Sequence, residues 1–267
     1  MYTERDFDTW HDLEEFVREL GKASSRPADT EFGYWSDLLF RGQGDQVWPL
    51  ESTLERFAPK LTRLADYYRA IAIAQTHIES LLPKTWPEVS YRELEQYLSS
   101  YDNVSMFPLP HYPYLVHLRH QGFPSPLLDW SRSLYVAAFF AFQHPRGERI
   151  SVFAFQEHAG SGKAGSSDAP QIRTLGRNIR THPRHFHQQA EYTTALRFQE
   201  STWHIARHLD VANTSTHNQD HLWKLTAPSR DRRNVLRQLG AYNINAYSLF
   251  QTEEALMSTL ANQLLQE

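Results

Sequence analysis

Over residues 7–21 the apolar side chains Trp10, Leu13, Phe16, Val17 and Leu20 recur on one face of a 3.6-residue repeat. The spacing predicts an amphipathic helix, with Asp6 or Asp8 able to cap its start and Gly21 to end it. A short apolar run, Leu38-Leu39-Phe40, then ends in Arg41-Gly42 and is followed by Val47-Trp48-Pro49-Leu50. That arrangement predicts two strands around a turn. Residues 61–82 keep a helical pattern until Pro83 and Pro87 interrupt it, 91–98 predict a short second helix, and 114–120 a third after Pro108-Leu109-Pro110-His111-Tyr112-Pro113. A helical insertion over 61–120 is therefore expected between the first strands and a later sheet.

Residues 134–142 are apolar on nearly every side, which predicts a helix buried all round. Alternation over 149–155 predicts a strand, 222–225 another, 230–239 a helix and 253–265 a terminal helix. No internal repeat is visible. The order of elements indicates an α+β protein with a mostly antiparallel sheet, expected as one unit over 1–267 with sheet core and C-terminal helices in 130–267.

Composition narrows the function only by exclusion. Of 267 residues, 27 are Lys or Arg and 31 are Asp or Glu, a net charge of -4 that argues against a globally basic nucleic-acid binder. With 40% hydrophobic residues, the chain has material for a packed core. There is no cysteine, so disulfides, thiolate zinc sites and a cysteine nucleophile are excluded, and a reducing cytoplasm is the expected location. No run approaches a membrane span, and no apolar leader follows the first residues, so no membrane partner is expected. Among fourteen histidines, His182, His185 and His187 crowd together, but at mixed spacings without a carboxylate in register, so no metal site is expected.

Candidate chemistry concentrates in two places. Arg41 ends a strand with a planar fork of donors that matches phosphate, and Gly42 beside it would let a ligand approach the backbone. The alternative is an arginine paired with a structural carboxylate beside a turn glycine. The second place is Leu118-Arg119-His120-Gln121-Gly122-Phe123-Pro124-Ser125-Pro126-Leu127-Leu128-Asp129-Trp130-Ser131. Here Asp129 or Ser131 is placed to cap the helix that follows, and His120 reads either as a hydrogen-bonded core residue or as a base oriented by Asp129.

Together these segments resemble the FRG domain family, named for its Phe-Arg-Gly motif. The similarity runs through Phe40-Arg41-Gly42-Gln43, Trp48-Pro49-Leu50, Thr53-Leu54-Glu55-Arg56, the block from His120 to Ser131, and Val136-Ala137-Ala138-Phe139-Phe140-Ala141. Weaker traces continue in Pro183-Arg184 and Gln188-Gln189-Ala190-Glu191. Gln121, Ser125, Pro126 and Ala190 depart from the family pattern.

A more distant likeness joins the motif order to the arginine-serine-glutamate class of ADP-ribosyltransferases, with Arg41, Ser131 and Glu191 as the three residues and Gln189 two places before Glu191. That resemblance implies an ADP-ribosyltransferase-like sheet and a cleft for NAD formed by Arg41, Gly42, Gln43, His120, Asp129, Trp130 and Ser131. Arg41 would hold the pyrophosphate or nicotinamide ribose, and Ser131 would support it. Glu191 would stabilise the cationic sugar as nicotinamide leaves, and Gln189 would orient the acceptor. Gln189 and Glu191, two apart on a strand, would share a face. The resemblance also implies a toxin or phage-defence context, with a protein or nucleic-acid acceptor and a regulatory protein partner left open. Two other readings stand beside transfer: a non-catalytic module that senses a nucleotide or phosphate, and a hydrolase or nuclease built on His120 and Asp129.

Overall fold

A computed structural model describes residues 1–28, 32–100, 109–160, 162–163, 169–177, 179, 182–215 and 219–265. Its strands are β1 (Tyr2–Asp6), β2 (Leu39–Gln43), β3 (Leu128–Ser131), β4 (Arg149–His158), β5 (Gln171–Thr174), β6 (Ala190–Gln199), β7 (Thr202–Ile205) and β8 (Gln219–Pro228). Its helices are α1 (Trp10–Ala23), α2 (Thr53–Phe57), α3 (Leu64–Leu81), α4 (Tyr91–Leu98), α5 (Tyr112–His120), α6 (Leu134–Gln143), α7 (Arg184–His187), α8 (His208–Thr214), α9 (Arg232–Ala241), α10 (Ala246–Phe250) and α11 (Glu253–Leu265). The strands make one open sheet in the order β1-β8-β4-β2-β3-β6-β5, with β7 also on β6. Only β1 and β8 run parallel; the other pairings are antiparallel. The mixed class with a mostly antiparallel sheet is thus as the patterning predicts.

Several boundaries differ for physical reasons. The strand β1 has no alternation to read, because four of its five residues are exposed at the sheet edge. The first helix starts at Trp10, not residue 7, and its cap is Thr9, whose hydroxyl accepts from the Asp12 amide at 3.1 Å. Residues 46–50 form turns rather than a second strand, and the Val47 amide donates to Asp45 there. Asp129 and Ser131 cap no helix. They lie in strand β3, and Ser133 is the cap of α6, accepting from the Val136 amide at 3.4 Å.

The pleat of β4 divides the core. Ile150, Val152 and Ala154 pack with α1, α6 and α9, whereas Phe153 and Phe155 face the opposite side with Leu39, Trp130, Leu222 and Val211 of α8. A separate cluster joins α3, α4 and α5 to Ala190, Tyr192 and Leu196 of β6. The cross-strand partners Phe40, Ser131 and Ala190 share one face of the sheet. That face therefore carries two helical layers, α3 to α5 over the β6 half and α6 with α10 over the β2 half, with a cleft between them.

Gly42 has a different use from the one its motif suggested. A Cβ there would fall 1.8 Å from the Ala137 carbonyl oxygen, so its missing side chain admits the backbone of α6 rather than a ligand.

Candidate functional site: an arginine-rich cleft at the split of the sheet

Strand β2 is paired with β4 over five positions, and β3 with β6 over four, but β2 and β3 meet at Phe40 and Ser131 alone. Past that point the sheet opens, and the β3 edge turned to β2 loses its ladder partners while the other edge stays paired with β6. Arg41 bridges the opening. Its Nη1 donates to the Asp129 backbone oxygen and to Asp129 Oδ1, each at 2.7 Å, while Arg119 at the end of α5 donates from Nη2 to the same Oδ1 at 2.5 Å. Burial opposes ionisation of Asp129, and the two guanidiniums outweigh it, holding the carboxyl far below its usual range. The arginine side chains are 14% and 19% exposed and that of Asp129 47%, so the carboxylate sits deep in the protein, gripped by both arginines, with its free side turned to the cleft.

The cleft encloses about 550 Å³, within the range of small-molecule sites. Five arginines line it, Arg41, Arg56, Arg119, Arg146 and Arg184, against the single carboxylate of Asp129. Among the described residues, Arg56, Arg146 and Arg184 have no acidic partner within ion-pair distance. Phe40, Phe140, Phe250, Tyr192 and the half-exposed Trp48 supply aromatic walls. A chain with an acidic total thus gathers positive charge and flat apolar surface in one place. That combination suits phosphate and a base or sugar. A second cavity of about 530 Å³, between α9, α10 and α11, is lined largely by apolar and amide groups such as Leu236, Ile244, Asn245 and Asn262, with Arg233 and Arg237.

His120 does not pair with Asp129. Its Nε2 shares a hydrogen bond of 2.8 Å with the hydroxyl of buried Tyr192, on which His185 stacks with ring centroids 5.8 Å apart. Burial, helped by Arg119 and the neighbouring histidines and opposed by Asp129, pushes the His120 imidazole down to about 4. Deeper in the sheet, Trp130 Nε1 donates to Thr193 Oγ1 at 2.8 Å, and the threonine hydroxyl shares a second hydrogen bond, of 2.9 Å, with His208 Nε2. Burial pushes fully enclosed His208 down to about 3.

In the unfolded chain both imidazoles titrate near 6.5. As pH falls below that value the unfolded state takes up protons that the folded state refuses, and stability drops. Urea unfolding between pH 7.5 and 4.5 should show a loss of about 2 kcal/mol or more, with a shallower slope in His120→Gln. An unchanged slope in that variant would place the titration elsewhere.

The remaining predicted site residues divide between two faces. Ser131 lines the cleft, but its hydroxyl donates to the Gln188 carbonyl at 2.8 Å and accepts from the Ser133 amide at 3.0 Å, so it ties β3 to the segment before β6. Gln43 is buried and donates to the Pro49 carbonyl, and Trp130 is enclosed in the core. Ser131 pairs with Ala190, so Glu191, one residue on, points to the other side of the sheet. It opens into a smaller cavity of about 280 Å³ with Asp37, Glu157, Thr174 and Arg177. Burial pushes its carboxyl up, with Arg177 and Arg132 opposing. Gln189 does not share that face, because it precedes β6 and adopts a left-handed backbone with φ 47°. The structure thus brings Arg41, Gly42, Gln43, His120, Asp129, Trp130 and Ser131 around one cleft and leaves Glu191 in a neighbouring one.

Arg119, Arg184, Tyr192 and Phe250 belong to the cleft but were not singled out from the sequence. Arg119 adjoins His120 in the densest polar block, and that adjacency was the available signal. Among the described residues no three histidine or carboxylate side chains converge as metal ligands. Neither a curated protein nor a solved structure matches the chain. Residues 36–149, which run from just before β2 to the first residue of β4 and include Arg41, Arg119 and Asp129, match the family model of the FRG domain.

Proposed function

We propose that the chain binds a phosphate-bearing nucleotide in the cleft at the β2–β3 split, with NAD the first ligand to test. The observation that carries this reading is the ratio of five arginines to one carboxylate in a cavity with aromatic walls. Of the three arginines without an acidic partner, Arg184 is half-buried, and a cation so placed is costly unless an anion joins it. In a protein of net charge -4 their concentration in one cleft serves a local ligand rather than the whole surface. Calorimetric titration of the intact chain with NAD and with ADP tests it, and binding should weaken as salt rises. Arg41→Lys should bind about tenfold more weakly, because an ammonium cannot replace the fork that bridges the split. A folded protein that gives no binding with either nucleotide would refute the reading.

ADP-ribosyl transfer from NAD is the second reading. It is favoured by Arg41, Ser131 and Glu191 falling on three consecutive strands, β2, β3 and β6. In this reading NAD is the donor, and Glu191 has to reach its ribose from the neighbouring cavity past Trp130, its cross-strand partner. Label transfer from NAD to a protein or nucleic-acid acceptor, lost in a folded Glu191→Gln variant, would support transfer over binding alone.

A further inference from the structure

We infer that Arg184, clamped on Phe250, makes this cleft select ligands with two linked phosphates over ligands with one. This rests on the nucleotide-binding reading and adds a specificity residue to it. Arg41 and Arg119 already share Asp129, so that wall offers one net positive charge, enough for one phosphate group. A second phosphate needs a cation of its own.

Arg184 meets that need better than the other two unpaired arginines. Its guanidinium carbon lies 5.3 Å from the Phe250 ring centroid, its Nε is buried without a hydrogen-bond partner, and Glu254, the acid its charge reaches, lies beyond ion-pair distance. The aromatic face fixes the plane of the fork while leaving its donors unused. Arg56 and Arg146 are exposed and unsupported, so ordering them on a ligand costs side-chain entropy and their charge is screened by water. Both halves of the clamp come from helices α7 and α10, beyond the residues that match the FRG domain. The matched segment therefore supplies one anionic subsite and the C-terminal part of the chain the other.

Titration of the intact protein with ADP and with AMP reads this directly. The wild type should favour ADP by about tenfold or more, the size expected of one well-placed charge-assisted contact. Arg184→Gln should bring ADP to within about twofold of AMP while leaving AMP binding close to its wild-type value. Phe250→Leu, which keeps the charge but removes its support, should lose part of the preference, and it serves as the second test should Arg184→Gln melt early. Arg197→Gln, an exposed β6 residue outside the cleft lining, controls for net charge and should keep the ratio. A preserved ADP/AMP ratio in folded Arg184→Gln and Phe250→Leu overturns the inference while the nucleotide reading stands. An equal loss of both nucleotides in those variants overturns it as well, because the arginine would then act without selecting. Failure of the wild type to bind either nucleotide would overturn the reading itself and the inference with it.

Discussion

Gly42→Ala should destabilise the fold by about 3–5 kcal/mol, near the upper end of single substitutions. The added methyl group would lie 1.8 Å from the Ala137 oxygen and 2.8 Å from both the Ala137 carbonyl carbon and the Ala141 nitrogen. All three are backbone atoms of α6, so no rotamer change relieves the overlap. The helix cannot slide away cheaply either, because Ala138, Ala141 and Phe142 are fully buried on it and Phe142 meets the Trp10 ring of α1 edge-on at 5.5 Å. Either α6 lifts from β2 and opens that core, or β2 leaves its ladder with β4. Chemical denaturation of the purified variant measures the loss, and a change below about 1 kcal/mol would show that the close approach is not rigid.

Asp129→Ala should cost about 2–4 kcal/mol for a different reason. It leaves two half-enclosed guanidiniums, Arg41 and Arg119, facing one another without the carboxylate that both grip. The Arg41 bond to the Asp129 backbone oxygen survives the change, and the openness of the site to water moderates the loss. Because the carboxyl is held far below the usual range, its contribution is full above about pH 4 and is lost only as pH falls further, distinct from the histidine window. A double-mutant cycle gives the decisive comparison. Adding Arg119→Gln to Asp129→Ala should recover part of the stability, since one of the repelling charges is gone. Strict additivity of the two losses would mean that the carboxylate does not hold the pair together.

The sequence disclosed those elements whose burial is one-sided or complete along their whole length. α4 and α11 sit at the residues their periodicity indicates, and the unbroken apolar run of α6 marks the helix most enclosed by the core. Strand β1 was hidden because its side chains are mostly in solvent, and β3 because four residues beside two prolines resemble a turn. Strand β6 is buried for six of its first seven residues, leaving little alternation to read.

At the site, the residue types were legible but their partners were not. Arg41 and Asp129 were each visible as candidates, yet they are 88 residues apart, and only the opening between β2 and β3 explains why the arginine turns to that carboxylate. The face of Glu191 was equally hidden. Even with Glu191 taken on a strand, one residue of register decides which cavity it enters, and the pairing of Ser131 with Ala190 sends it away from the arginine cleft. Arg184 lies on a four-residue helix with no periodicity, and its role follows only from meeting Phe250.

The most direct measurement is a crystal structure of the protein grown with saturating ADP. The account predicts both phosphates between β2 and the α5–α6 walls, within hydrogen-bond distance of Arg184 and of the Arg41–Arg119 pair. Nucleotide density in the cavity at Glu191, or in the cavity between α9, α10 and α11, with the arginine cleft left to solvent, would contradict it.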